Sequence, residues 1–330
     1  MFDQETGVQL LDYKDRKIGL VIFGILEIIL GAICALAVPM MIFGMIVSST
    51  MNKSSDMPPM NASMLIPGML VYILAAVWFI WMGIGSIKAR RWARALILVT
   101  SWIWLICGIA GFFAMVVLMP NMYAQMAQKQ PIPPEMVTIM QFVTFGFMAI
   151  VYILIPGALV LFYGSRHVKA TCEFCDPQVR WTDKCPLPVL AISLMAGFGA
   201  VSMILMGFYG WVVPFFGVIL TGIAGAGVAL VSMVLLGYIA WGTYKLDMKA
   251  WWIMVLMTII WTISAGITFS RVSLWEFYEK MNFPQQQLEL MKQIDLPTYT
   301  IALFYGVWIL GFLGYLLYIR KYFLVPSNKQ

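Results

Sequence analysis

The chain has 330 residues, of which 62% are hydrophobic and only 11% charged. A soluble domain is about 45–50% apolar and about 25% charged, so no water-facing packing scheme hides this surface, and lipid must be the solvent. The net charge of +6 points to no nucleic-acid partner, because the basic residues fall in short clusters beside apolar runs; the partner it implies is the lipid bilayer, and no protein partner can be read from it.

A membrane helix needs about 20 apolar residues, whereas a membrane β-barrel alternates in segments of about 10. Apolar runs here fit the first pattern, at 18–47, 64–87, 95–119, 137–163, 188–211, 217–242, 251–270 and 298–319. The expected fold is an all-α polytopic transmembrane bundle of about eight spans. Ala35-Leu36-Ala37 fits a leader-cleavage pattern, but the run continues to about Val47, so the first helix is expected to be retained. Between the fifth and sixth spans only Gly210-Trp211-Val212-Val213-Pro214 breaks the apolarity, which predicts a tight turn at membrane level. Ser193/Gly197 and Gly225/Ala229 are small-xxx-small pairs that let those two helices approach closely.

The basic residues orient the chain. Sixteen of the 21 lie on one set of segments: Lys14, Arg16, Lys17, Lys88, Arg90, Arg91, Arg94, Arg166, Lys169, Arg180, Lys184, Lys245, Lys249, Arg320, Lys321 and Lys329. The other five are Lys53, Lys129, Arg271, Lys280 and Lys292. The positive-inside rule puts the first set, with both termini, in the cytoplasm. The turn Arg90-Arg91-Trp92-Ala93-Arg94 resembles one found in uncharacterised bacterial multi-pass membrane proteins. That resemblance implies the bacterial inner (plasma) membrane and no particular activity.

Two halves repeat. Gly85, Ser86, Lys88 and Trp104 recur as Gly242, Thr243, Lys245 and Trp261, and Tyr123, Met126 and Tyr163 as Tyr278, Met281 and Tyr318. The expected organisation is a four-helix repeat over 1–170, a cytoplasmic cysteine-containing linker over 171–187 and a second repeat over 188–330. Met119, Met122, Tyr123 and Met126 share one helical face, as do Leu274, Phe277, Tyr278 and Met281. The third and seventh helices are therefore expected to run past the membrane.

Three groups of residues suggest chemistry. Glu27 is the only charged residue inside any predicted span. It lies ten residues beyond Lys17, or about 15 Å deep, near the midplane. A charge there is costly and often marks an ion or proton pathway; the alternative is a neutral acid bonded to a neighbouring helix. His167 with Cys172, Cys175 and Cys185 has the donor set of a Cys₃His zinc site, though a second paired knuckle is missing. Met57, Met60 and Met64 repeat the spacing of Met119, Met122 and Met126 on the external side, and thioethers favour Cu(I). Met is also an adaptable apolar filler, and a thiol also a small hydrophobe. No cofactor is otherwise indicated. No nucleotide loop, HExxH or nucleophile elbow is present, and the single histidine sits in a loop, so no enzyme is expected. The leading expectation is a non-enzymatic multi-pass protein with a scaffold or assembly role. A transporter or channel using Glu27, and a metal-handling protein using Met and Cys, are the alternatives. A transporter would have to line its path with Thr100, Ser101, Gln141, Ser202, Thr258, Thr262 and Ser264.

Overall fold

In hydrocarbon every backbone N–H and C=O must find its partner within the protein, which leaves the helix as the default for long apolar runs. The computed structural model describes residues 14–51, 62–129, 133–283, 288–289 and 298–324. Its helices are α1 (Lys17–Met51), α2 (Ala62–Ile87), α3 (Arg91–Lys129), α4 (Pro134–Ala149), α5 (Ile155–Gly164), α6 (Arg166–Cys175), α7 (Leu187–Leu205), α8 (Gly222–Tyr244), α9 (Met248–Arg271), α10 (Leu274–Lys280) and a terminal helix, Thr298–Phe323. The protein is an all-α polytopic bundle. Among the described residues, seven segments are long and apolar enough to cross a membrane: Lys17–Val47, Leu65–Ile87, Arg91–Val117, Glu135–Gly164, Leu187–Tyr209, Gly222–Tyr244 and Met248–Arg271. The terminal helix, with 26 residues, stands where the eighth span is expected.

The fourth span changes pitch. Pro156 has no N–H to offer the Tyr152 carbonyl four residues back. The chain responds with a π-helical turn at Ile150–Leu154, in which the Ile155 N–H reaches back to Ile150 O. The freed Tyr152 carbonyl presses against Gly108 of α3, where any Cβ would collide with it. A glycine Cα–H is the donor that can come this close in a membrane interior.

Between the fifth and sixth spans the sequence expectation needs correction. The segment is a β-hairpin rather than a bare turn, with β1 (Val213–Phe215) antiparallel to β2 (Val218–Leu220). Phe216 and Gly217 both take positive φ, at 41° and 95°, as the common two-residue hairpin turn requires. The sixth helix therefore starts at Gly222, five residues later than expected. Residues 213–220 are uniformly apolar, and a short apolar run carries no period that separates strand from helix. The polar groups of the hairpin turn are held by α9. Phe216 N–H donates to Ser264 Oγ at 3.0 Å, and Gly217 N–H to Thr268 Oγ1 at 3.0 Å.

The turns joining α2 to α3 and α8 to α9 are built alike, residue for residue, at an offset of 157. Helix α2 ends at Ile87 and α8 at Tyr244; α3 starts at Arg91 and α9 at Met248. Ala89 and Leu246 both sit in the left-handed region, at φ 48° and 58°. Ala89 N bonds Ser86 O as Leu246 N bonds Thr243 O, and Arg90 N bonds Gly85 O as Asp247 N bonds Gly242 O. A Cβ on Gly85 would lie 2.6 Å from that of Ala93, and one on Gly242 2.5 Å from that of Ala250. The glycines are what let each pair of helices close. The second group of sequence equivalences fares differently. Tyr163 is fully buried, whereas Tyr318 is half exposed.

Helix α3 does continue past the membrane to Lys129, and Tyr123 on its striped face is buried with its hydroxyl 2.9 Å from Thr144 on α4. The seventh helix does not continue unbroken. Ser273 accepts a hydrogen bond from Glu276 N and starts the separate α10, whose Phe277 ring packs back on Phe269 of α9 at 5.7 Å. One buried cluster, with Leu20, Met82, Leu96, Ile97, Leu159 and Tyr163, fills the first half. A second, with Val189, Leu190, Ile239, Trp251, Leu316 and Ile319, fills the other.

Candidate functional site

Glu27 is placed by the way α1 meets α2. Gly24 and Gly83 face each other so closely that a Cβ on either would stand within 2.8 Å of the other's carbonyl oxygen, and Gly31 lies as close to Ile80. Small residues three and four apart let two helix backbones touch without a polar contact. Glu27 lies between these glycines and is 1% exposed. Its Oε2 makes no hydrogen bond among the described residues.

Seven residues toward the basic side, Leu20 shares the Glu27 face of α1. Ser86 Oγ donates to the Leu20 carbonyl at 2.9 Å and stands 2.6 Å from Tyr163 Oη. The serine has a single proton and spends it on the carbonyl, so the tyrosine donates to the serine. Tyr163 is locked further by Phe23 and Phe162, whose rings pack around it at 6.1 and 5.2 Å. This relay ties α1, α2 and α5 together, but it lies two turns, about 10 Å, from Glu27 along α1. The backbone contact of Gly24 with Gly83 falls within that stretch of α1. On α2, Trp78 Nε1 donates to Thr100 Oγ1 at 3.3 Å.

The linker is an ordered element. Helix α6 lays buried Val168, Thr171 and Cys172 against the bundle. Asp176, which the sequence alone marks only as loop punctuation, is 2% exposed in its side chain and sits at the centre of an ion-pair network. Arg180 approaches it at 2.6 Å and Arg90 at 3.5 Å, while Arg91 pairs with Glu173 at 3.4 Å and Asp183 at 3.2 Å. The Arg180 hydrogen bond holds the Asp176 carboxyl below the usual carboxylate range, against the opposing effect of burial. The basic turn is thus the seat of the linker.

The proposed zinc donors are not brought together. Among the described residues no group of three or more His, Cys, Asp or Glu side chains is placed to hold a metal ion. His167 Nδ1 accepts the backbone N–H of Lys14 at 3.3 Å, and Thr171 Oγ1 that of Arg16 at 3.1 Å. Cys172 belongs to the first buried cluster and Cys185 to the second, while Cys175 is exposed. Burial pushes the Cys172 and Cys185 thiols up to about 12. Met57 and Met60 lie outside the described residues. Met64, Met122 and Met126 are on α2 and α3, with side chains outside the described set, and Met119 is half-buried.

Five of the seven polar residues that would line a transport path have hydrogen-bond partners within the bundle. Ser202, Thr258 and Thr262 each donate to the carbonyl four residues back on their own helix. Ser264 holds the hairpin, and Thr100 holds Trp78. Two cavities stand out. One, of about 410 Å³, lies between α8 and α9 beside Trp261. The other, of about 660 Å³, lies between α3, α7 and the terminal helix. Both have apolar walls, and Glu27 lines neither.

The chain matches no protein-family model, no curated protein and no solved structure.

Proposed function

We propose that the protein is a non-enzymatic multi-pass component of a bacterial inner membrane, with eight spans, both termini cytoplasmic and a scaffold or assembly role. The observation that carries this reading is how the polar side chains of the bundle are spent. They close helix carbonyls, a hairpin and an interhelix relay, and the walls of the two cavities are mostly apolar, with Ser232 and Ser264 in the smaller one. A path for an ion needs polar groups in succession, and the Ser86–Tyr163 relay is anchored at Leu20, two turns along α1 from Glu27. The 16-to-5 distribution of basic residues supports the orientation, and the Arg90–Arg94 turn supports the bacterial setting.

One observation favours a second reading, a proton-coupled transporter: Glu27 Oε2 is buried without a hydrogen bond among the described residues. Glu27→Gln separates the two, because it keeps shape and hydrogen bonding but removes titration. Wild-type protein and the variant are reconstituted in vesicles holding a pH-sensitive dye. The scaffold reading expects the same thermal stability and the same proton leak from both. A protein-dependent flux that disappears in a stably folded Glu27→Gln would replace it with the transporter.

A further inference from the structure

The larger cavity has the dimensions and the setting of a lipid site. Its walls run from Leu98 to Cys107 on α3, from Leu187 to Met195 on α7 and from Val307 to Tyr318 on the terminal helix. At 1.5 Å per residue these stretches are about 12 to 16 Å long, the depth of one leaflet of a hydrocarbon core about 30 Å thick. Its volume of about 660 Å³ falls within the range of ordinary ligand sites, about 300–1,000 Å³. Leu98, Leu187 and Tyr318 all stand at the end that carries the basic turn and the linker, so the cleft belongs to the leaflet on that side.

A cation waits at that end. Lys321 Nζ lies 4.1 Å from the centre of the Tyr318 ring, and Tyr318 is itself part of the cleft wall. Lys321 makes no ion pair among the described residues. The ring contact orders a long side chain at the lip of an apolar groove, which lowers the cost of binding there. Basic residues at the membrane surface above a groove between helices are the usual means of recognising acidic headgroups.

We propose that this cleft seats one acyl chain of an anionic phospholipid, with the headgroup phosphate on Lys321. The site goes beyond the scaffold reading and does not depend on it. Purified full-length protein in micelles doped with either phosphatidylglycerol or phosphatidylcholine is examined by native mass spectrometry. The wild type is expected to retain phosphatidylglycerol about five-fold better, the advantage one lysine gives near a membrane surface. Lys321→Gln should bring the ratio close to one without reducing phosphatidylcholine. Gly311 lines the same cleft and has no atom within 4 Å of an added Cβ, so Gly311→Phe fills the groove and should lose both lipids at unchanged thermal stability. If that variant is unstable, brominated phosphatidylglycerol gives the answer in the wild-type fold, through quenching of Trp308 that falls in Trp308→Phe. Equal retention of the two lipids by the wild type overturns the role of Lys321. Undiminished lipid in a stable Gly311→Phe, or no Trp308 quenching, overturns the cleft.

Discussion

At Ala89 and at Leu246 the chain makes the same turn with different side chains. The backbone hydrogen bonds, the left-handed residue and the glycine facing an alanine are shared. The first turn then offers Arg90, Arg91 and Arg94, and the second Asp247, Met248 and Trp251. Arg90 and Arg91 take hold of the linker through Asp176, Glu173 and Asp183. Asp247 turns inward to cap α9 through Lys249 N and to accept Tyr238 Oη, and Trp251 donates to Leu316 O inside the second core. The same divergence appears one layer deeper. Where Gly24 meets Gly83 in the first half, Ser193 donates to Ala240 O in the second. Three residues further along each helix stand Glu27 and Ala196, both buried. Two turns of the same backbone form thus sit beside an acid and a charged seat in one case and an apolar core in the other.

The sharpest way to break this comparison is at the helix contact. Gly83→Ala puts a methyl carbon 2.6 Å from Gly24 O, and backbone cannot move aside cheaply. A loss of about 3 kcal/mol is expected in unfolding of the purified protein, the upper end for overpacking. Ala240→Gly, at the matching position, should cost only about 1 kcal/mol. Equal costs would mean that the two contacts are packed alike.

Next comes the charged seat. Asp176→Asn removes the charge from hydrogen bonds with Arg180 and from the Arg90 pair, with an expected loss of about 2 kcal/mol. Asp247→Asn should cost less than about 0.5 kcal/mol, because asparagine caps a helix as well as aspartate. The pH dependence has a definite sign. The carboxyl of Asp176 is held below its ordinary value, so its contribution is complete above the unfolded value near 3.9 and fades as the pH falls below about 4. Thermal unfolding followed from pH 7 to pH 3 should show that loss in the wild type and not in Asp176→Asn.

The smallest effect concerns the left-handed residues. Ala89→Gly relieves the strain of a positive φ and should gain about 1 kcal/mol. Leu246→Gly should give no gain, because Leu246 packs against the second core and that burial is lost. A gain at both positions would mean that the Leu246 side chain contributes nothing to that core.

What could be read beforehand followed from chemistry local in the chain. Apolar length marks the spans, and Gly85-Ser86-Lys88 with Gly242-Thr243-Lys245 marks the matching turns. The small pair Ser193/Gly197 does face Ala240. The hairpin at 213–220 was hidden because Val, Phe, Ile and Leu suit strand and buried helix alike. Glu27 was visible as a lone charge, but its setting between two glycines needs the partner helix. Asp176 was missed altogether. Its nearest partner, Arg180, is four residues on, but the burial of the pair depends on Arg90 and Arg91, about 85 residues earlier, and no local pattern marks that meeting. The cysteines misled for the same reason. Cys172 and Cys185 are near in sequence, yet each faces a different core.

The two backbone bonds that fix the entry of α1 have a consequence for the order of synthesis. Lys14 and Arg16 are held by His167 and Thr171, 153 and 155 residues later in the chain. At roughly 5–20 residues per second, the ribosome needs roughly eight to thirty seconds to supply those acceptors. Through that interval α1 and α2 can already be zipped through their glycines, while residues 14–16 still lack their acceptors. Anything that must act on those residues during biogenesis has this window, and the arrival of α6 ends it.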